Sequence, residues 1–411
     1  MSWDWPNPHE PRAIIAQSVK PRPQRAGRSI ECEPMHFTDA HEELRLHIRR
    51  FLEKEVVPHL EEWEVTTFPD SIMKRFGELG FLGLRYPPEY GGQGGDYFSA
   101  VVLSEEMARA HCGGLGMAVA VQAEMATPPV ARFGTDEQKR RFLAPAISGD
   151  AIASIAMTEP DAGSDLASMR TTARRYGNEY VVNGRKTFIT NGKRCQWCLL
   201  VAKTDTEAGH KGFSLFIVPK GSPGFSVSKT LKKLGMHSSD TAELAFEDCR
   251  VPVDCRLGEE GEGWTELMWE LQGERLIAAC GQVAGAQATF EFAMQYAQDR
   301  VAFGRPIAKF QVIKHKLVDM ANKIAAIRAF VYETCTRWDQ GDYPVREISQ
   351  CKLLSSQVAV EVADEAIQIL GGHGYMSEFP VERAWRDARL SRIGAGTDEI
   401  MKEIIAKSYG L

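Results

Sequence analysis

Residues 155–165 read Ile-Ala-Met-Thr-Glu-Pro-Asp-Ala-Gly-Ser-Asp, a short apolar strand that runs into a turn of small polar residues. Thr158 and Ser164 carry hydroxyl groups that donate or accept hydrogen bonds, and Gly163 lets backbone amides approach a ligand closely. Residues 186–192, Lys-Thr-Phe-Ile-Thr-Asn-Gly, again end an apolar strand in hydroxyl and amide groups. Side by side, two such strand ends form a wall for a flat heterocycle with polar edges. The alternative is two hairpin ends with ordinary turn residues.

The composition is that of an intracellular globular protein. A chain of 411 residues is long for one core, so two or three packed subdomains are expected. The net charge of −6 and the absence of a basic block argue against nucleic-acid binding, and no apolar run has membrane-spanning length. Nine scattered cysteines indicate reduced thiols, in the cytoplasm or alternatively the mitochondrial matrix. We interpret Cys195 and Cys198 as packing thiols, because no second cysteine pair lies nearby.

Changes in hydrophobic period divide the chain into four parts. Residues 1–35 are rich in Pro and Arg and lack the apolar segment of a secretory signal. They are predicted to form an extended arm that packs on its own chain or on a partner subunit. Residues 36–150 show helical periodicity, residues 151–252 change to strand patterns, and residues 253–411 are helical again.

Local signals place individual elements within these parts. Asp39 with Glu42 predicts the capped start of the first helix. Asn183-Gly184 between apolar runs predicts a tight hairpin turn, because this pair suits positive φ. In the last part, Gly and Pro breaks predict helices at 262–299, 307–340, 346–370 and 380–391 and after Thr397.

The two opening stretches resemble the flavin-binding segments of the acyl-CoA dehydrogenase family, with the patterns A-M-T-E-P-x-A-G-S-D and K-x-[WF]-I-T-N-G. The likeness continues in Asp299-Arg-Val-Ala-Phe-Gly304, Gln368-Ile-Leu-Gly-Gly372 and Gly396-Thr397. Five separated motifs in the same order make this resemblance specific, and it extends from about residue 36 to the end of the chain.

The resemblance implies an α+β architecture with an N-terminal α-helical domain, a central β-barrel domain and a C-terminal four-helix-bundle domain. It also implies FAD as cofactor and an acyl-CoA thioester as substrate. Electron-transferring flavoprotein is then the expected electron acceptor, and a homotetramer arranged as a dimer of dimers is the expected assembly.

Removal of the proton next to the thioester carbonyl requires a carboxylate in an apolar site, where burial raises its pKa. Many family members carry this Glu directly before the Gly-Thr of the last motif, where this chain has Ala395. Glu274, within the apolar run of residues 271–279, resembles the base of the long-chain and isovaleryl branches. The alternative is that Glu274 and Arg275 are charged residues on a solvated helix face. We expect the backbone N–H of Ala395 to point at the thioester oxygen.

The remaining contacts follow from the motifs. Arg300 resembles a residue that pairs with the FAD pyrophosphate of a neighbouring subunit; the alternative is a charge that answers the helix dipole. Glu399 stands where many relatives carry Gln, and an acid beside phosphate is unfavourable. The resemblance assigns cofactor binding to Ile155, Met157, Thr158, Gly163, Ser164, Phe188, Ile189, Thr190, Arg300, Phe303, Gln311, Gln368, Ile369, Gly371, Gly372, Gly396, Thr397 and Glu399. It assigns substrate binding to Ser164, Leu271, Arg275 and Gly394.

Three other functions are compatible with these motifs. The first is dehydrogenation of a thioester on a carrier protein. The second is a flavin oxidase or monooxygenase that reacts with oxygen. The third is a catalytically idle flavoprotein that acts as a binding module, although such a module has no need of Glu274.

Overall fold

The computed structural model describes residues 36–411, and the predicted arm at 1–35 lies outside the described residues. Within this range the chain forms a helical domain, a β domain and a second helical domain, so the predicted order of the three is confirmed. No helix in the described range is both long enough and apolar enough to cross a membrane.

The N-terminal domain is helical from its first described turn. Thr38 caps the first helix through His41, whose backbone N–H donates to the Thr38 hydroxyl, so the predicted pair Asp39 and Glu42 is one position too late. Thr38 is the N-cap because its backbone is extended, as this position requires, whereas Asp39 is already helical. The helices of this domain are α1 (Asp39–Phe51), α2 (Leu60–Thr66), α3 (Asp70–Glu78), α4 (Tyr97–Arg109), α5 (Gly113–Ala120), α6 (Thr127–Phe133), α7 (Asp136–Gln138) and α8 (Ala144–Ile147).

The middle domain is built on one sheet. Its strands are β1 (Ala153–Ala156), β2 (Thr172–Tyr176), β3 (Glu179–Thr190), β4 (Trp197–Lys203), β5 (Phe213–Pro219), β6 (Phe225–Thr230), β7 (Thr241–Pro252) and β8 (Arg256–Leu257). Their hydrogen-bonded order is β6-β7-β3-β2-β4-β5-β8, with β1 beside β4. The order is a path with β6 and β8 at its two ends, and β8 extends the sheet beyond residue 252. The parallel pair β1–β4 places Ala156, the last residue of β1, opposite Leu200 in the middle of β4.

The predicted hairpin turn at Asn183-Gly184 is wrong. Both residues lie inside β3, at a register shift opposite β7, and the actual turn between β2 and β3 is at Gly177-Asn178. The Asn183 side chain exchanges two hydrogen bonds with Asp248 across the strands, at 2.9 and 3.0 Å. Continued pairing with β7 therefore outweighs the local turn preference and converts the dipeptide into a bulge.

The C-terminal domain consists of long helices and short connections. It comprises α9 (Gly263–Asp299), α10 (Gln311–Asp339), α11 (Val345–Leu370), α12 (Pro380–Leu390) and α13 (Asp398–Ser408), with a small hairpin of β9 (Val301–Ala302) and β10 (Arg305–Pro306) after α9. The predicted helices are confirmed, with the start of α10 shifted to Gln311 by a 3₁₀ turn. Helix α9 packs against α4, α10 and α11 in one apolar core, so it touches both helical domains.

A buried ion pair joins the two stretches quoted at the start. The Lys186 ammonium is fully buried and lies 2.9 Å from Glu159 and 2.8 Å from the carbonyl oxygen of Met157. Burial lowers the pKa of Lys186 to about 8, although the Glu159 charge opposes the shift. Glu159 also accepts hydrogen bonds from the backbone N–H groups of Arg170 and Thr171. The pair thus fixes the loop after β1 against β3.

We expect Lys186→Met to destabilise the protein by about 3–5 kcal/mol, because it leaves Glu159 buried without its cation. The double variant Glu159→Gln/Lys186→Met should recover a large part of that loss, since no charge then remains unpaired. Denaturant unfolding of both variants measures the difference. Lys229→Met, an exposed lysine on β6, serves as the control and should change stability little; equal losses for the single and double variants would contradict the ion-pair explanation.

Candidate active site

A cavity of about 880 Å³ opens where the sheet, α9 and the loop before α13 meet. The predicted residues that line it are Ile155, Met157, Thr158, Gly163, Ser164, Phe188, Ile189, Thr190, Leu271, Glu274, Arg275, Gly394, Ala395, Gly396 and Thr397. Stretches that are far apart in sequence therefore form one site. Small residues of α4 and α9, such as Ala100, Ser104 and Gly281, continue the cavity between these two helices.

One wall presents an aromatic ring and free hydroxyl groups. A register shift between Lys186 and Ile189 places Phe188 at φ +61° with 69% of its surface exposed. Such a φ is rare for an aromatic residue and marks a position held by its surroundings. The hydroxyls of Thr158, Ser164 and Thr190 make no hydrogen bond to any group in the part of the chain described here. The wall therefore offers a flat apolar face flanked by unused polar groups, which suits a planar ring system with polar edges.

Glu274 is the acidic residue of α9 that lines the cavity. It is only 7% exposed, and its Oε2 atom has no hydrogen-bond partner among residues 36–411. Burial raises the pKa of Glu274, and the Arg275 and Lys352 charges oppose that shift without cancelling it. The alternative of a solvated charged face is therefore wrong. A buried carboxyl that lines an apolar cavity is suited to proton transfer.

Two buried cations hold the loop opposite Glu274. Arg275 Nε donates to the carbonyl oxygen of Ala395 at 3.0 Å, and Lys352 Nζ donates to that of Gly396. Burial lowers the pKa of both cations, that of Lys352 to about 8. Ala395 itself has φ +57°, a left-handed conformation that keeps the loop turned towards the helix. Its backbone N–H donates to no acceptor in the described structure, so it is free for a ligand.

The other predicted cofactor residues do not line this cavity. They are Arg300, Phe303, Gln311, Gln368, Ile369, Gly371, Gly372 and Glu399. Most of them are exposed around the hairpin after α9 and the end of α11, and the Phe303 ring is 94% exposed. Glu399 is an exposed residue in the first turn of α13.

Three polar residues near the cavity were not identified from sequence. Lys352 had no motif to mark it, because its role depends on the carbonyl that it contacts. Glu124 lines the cavity and pairs with Arg85, and burial raises its pKa. Glu270 lies one helical turn before Glu274, and the four-residue spacing of the two acids in an apolar helix was the available signal.

The sequence matches three family models along its length. They are the acyl-CoA dehydrogenase N-terminal domain at 38–150, the middle domain at 154–249 and the C-terminal domain at 261–410. The chain is 39% identical over 374 residues to a mitochondrial isovaleryl-CoA dehydrogenase of Oryza sativa subsp. japonica, covering 90% of this chain and 91% of that protein. It is 40% identical over 380 residues to a mitochondrial long-chain specific acyl-CoA dehydrogenase of Mus musculus, covering 90% and 86%.

The fold agrees with a solved structure of the same kind. The crystal structure of an acyl-CoA dehydrogenase from Geobacillus kaustophilus superposes with a TM-score of 0.89 at 40% identity, covering 92% of this chain and 100% of that chain. Sequence and structure comparisons thus agree over all three domains. The chain belongs to the acyl-CoA dehydrogenase family, flavoprotein oxidoreductases that act on CH–CH bonds.

Proposed function

We propose that this protein is an FAD-dependent dehydrogenase that converts a medium-chain, long-chain or branched acyl-CoA into the trans-2-enoyl-CoA. The observation that carries the proposal is the buried carboxyl of Glu274 in an apolar cavity that Ala395, with its free N–H, also lines. An acid and a hydrogen-bond donor at one cavity match the two needs of α-proton removal from a thioester.

Glu274 acts as the base. Its raised pKa makes the carboxylate a stronger base than a solvated glutamate, which favours removal of the α-proton. The Arg275 and Lys352 charges keep an ionised fraction of Glu274 available. Both cations are bonded to carbonyl oxygens of the loop. Neither therefore needs to move when the proton arrives on Glu274.

The N–H of Ala395 donates to the thioester oxygen, where negative charge develops as the proton leaves. Its carbonyl is already fixed by Arg275, so the peptide plane is oriented before substrate binds. A donor that is oriented in advance lowers the barrier without reorganisation in the reaction step. This explains how Ala395 contributes although its side chain carries no functional group.

The wall residues fit a flavin. Phe188 offers its ring face, and the free hydroxyls of Thr158, Ser164 and Thr190 offer hydrogen bonds to the ring edge and the phosphate side. When bound, the flavin accepts the hydride from the carbon next to the one that loses its proton. We further propose that the exposed Arg300, Phe303 and Gln368 contact the cofactor of a neighbouring subunit. We propose that the protein acts as a homotetramer in the cytoplasm and passes electrons to electron-transferring flavoprotein.

Glu274→Gln should lower kcat/KM by about 10²- to 10⁴-fold, because an amide cannot take the α-proton. The measurement is anaerobic bleaching of the purified flavin by acyl-CoA, with flavin content recorded beside it. Glu333→Gln, an exposed acid on α10, is the matched control and should bleach at the wild-type rate. Wild-type bleaching by Glu274→Gln would place the base elsewhere.

Ala395→Gly should keep kcat within about twofold, because glycine retains the N–H and adopts positive φ readily. Ala395→Pro should lower kcat by about 10²-fold or more, because proline has no N–H and its φ is fixed near −65°. Flavin content and melting temperature of both variants show whether the loop stays in place. Full activity of the proline variant would remove the amide from the mechanism.

A panel of acyl-CoAs of different length and branching tests the substrate. Because the cavity continues between α4 and α9, we expect medium, long or branched chains to bleach the flavin faster than two- or four-carbon chains. Reoxidation of the bleached flavin in air should be slow. Bleaching only by carrier-protein thioesters would favour the carrier alternative, and rapid reoxidation in air would favour an oxidase.

A further inference from the structure

Glu270 forms a buried carboxyl pair with Glu274. The two residues are one turn apart on α9, so their side chains lie on the same helix face. Glu270 is only 2% exposed, and neither of its oxygens accepts a hydrogen bond from an N–H or hydroxyl group of residues 36–411. It does not line the cavity. The chain thus keeps a second acid directly behind the proposed base.

Neither of the two nearby cations forms a salt bridge with this pair in the described structure. Arg275, next to Glu274 on the same helix, is bonded to the carbonyl of Ala395, and Lys352 of α11 is bonded to that of Gly396. Tyr343 donates to the carbonyl oxygen of Met268. Two ionised carboxylates in contact in an apolar interior are strongly unfavourable. A single proton shared by the pair satisfies one oxygen atom of each residue, two of the three buried oxygens that no other donor reaches.

Glu270 is the more enclosed of the two carboxyls, because both of its oxygen atoms are buried without a donor, whereas only Oε2 of Glu274 is. Burial raises the pKa of Glu270 well above its usual range, and the Glu274 charge raises it further. Burial also raises the pKa of Glu274, but the Arg275 charge and the neighbouring Glu270 carboxyl act in the opposite direction. Glu274 is therefore the first of the two to ionise. Beyond Arg275, the groups that face this part of the site are Lys352 from α11 and Tyr343, with Arg132 of α6 behind the tyrosine.

We propose that Glu270 is a positioning residue for proton abstraction: it stays protonated and donates its hydroxyl hydrogen bond to the carboxylate of Glu274. This bond keeps Glu274 ionised in an apolar site and orients its other oxygen towards the cavity. The inference rests on the proposed role of Glu274 as base. It assigns a function to a residue that neither touches the substrate nor belongs to any of the motifs.

The pH dependence of kcat/KM tests this role. Activity requires ionised Glu274, so kcat/KM falls as the pH drops through the raised pKa of the pair. Glu270→Leu removes the donor and should move this acidic limb upward by about one to two pH units. Glu270→Gln keeps an N–H donor, so its limb should stay close to that of the wild type. KM should change little in either variant, because Glu270 lies outside the cavity.

An infrared measurement gives a readout that does not depend on turnover. At pH 8 the infrared difference between the wild type and Glu270→Gln should contain the C=O band of one buried protonated carboxyl, present only in the wild type. This result stands even if Glu270→Leu fails to fold. A difference spectrum without that band, or acidic limbs of the leucine and glutamine variants that coincide with that of the wild type, would overturn the inference.

The two proposals fail in different ways. If Glu274→Gln retains wild-type bleaching, the base assignment is wrong, and the Glu270 inference falls with it. If Glu274→Gln is inactive while the Glu270 variants leave the limb and the infrared band unchanged, the dehydrogenase proposal stands and the positioning role is refuted. Glu333→Gln serves again as the matched control, since it removes an exposed acid.

Discussion

The hydrogen bonds from Arg275 and Lys352 to two successive carbonyl oxygens are the constraint on which the site depends. They tie the loop at residues 394–397 to α9 and α11, and so set the position of the Ala395 amide relative to Glu274. Burying two cations is unfavourable, as the lowered pKa values of both show. Carbonyl oxygens compensate part of this desolvation without adding a negative charge.

Because Arg275 and Lys352 are bonded to the loop and not to Glu274, they affect the pKa of this proposed base only indirectly. If Arg275 or Lys352 formed a direct salt bridge with Glu274, the carboxylate would be stabilised, and its pKa would fall below the range useful for proton abstraction. Because the cations are bonded to the loop instead, they act on Glu274 through space only. The carboxyl keeps a raised pKa and a free oxygen. The same two hydrogen bonds therefore anchor the loop and leave the pKa of Glu274 raised.

In the proposed mechanism, the same geometry lets a carboxyl on a long helix act at the cavity that the last motif also borders. Glu274 and Ala395 line the same cavity and are linked through Arg275. A carboxyl at position 274 or at position 395 would therefore border the same cavity. A helix is the more rigid support, because α9 is packed against α4, α10 and α11 along its length.

The sequence by itself determined the order of the domains, the helices of the last domain and most residues of the cavity wall. These features depend on periodicity, caps and short motifs, which are local. It also pointed to Glu274, since an acid inside an apolar run requires an explanation. The hairpin expected at Asn183-Gly184 failed because strand pairing with β7, which is not local, outweighed the turn preference.

Only the tertiary structure decided which groups are paired. Whether Glu274 is a base or a surface charge depends on burial, and the role of Lys352 depends on a carbonyl that is distant in sequence. Arg300 and Phe303 lie away from the cavity, although the motif that contains them suggested a cofactor contact. Local patterns encode backbone conformation, whereas the charge state of a buried group is set by everything that folds around it.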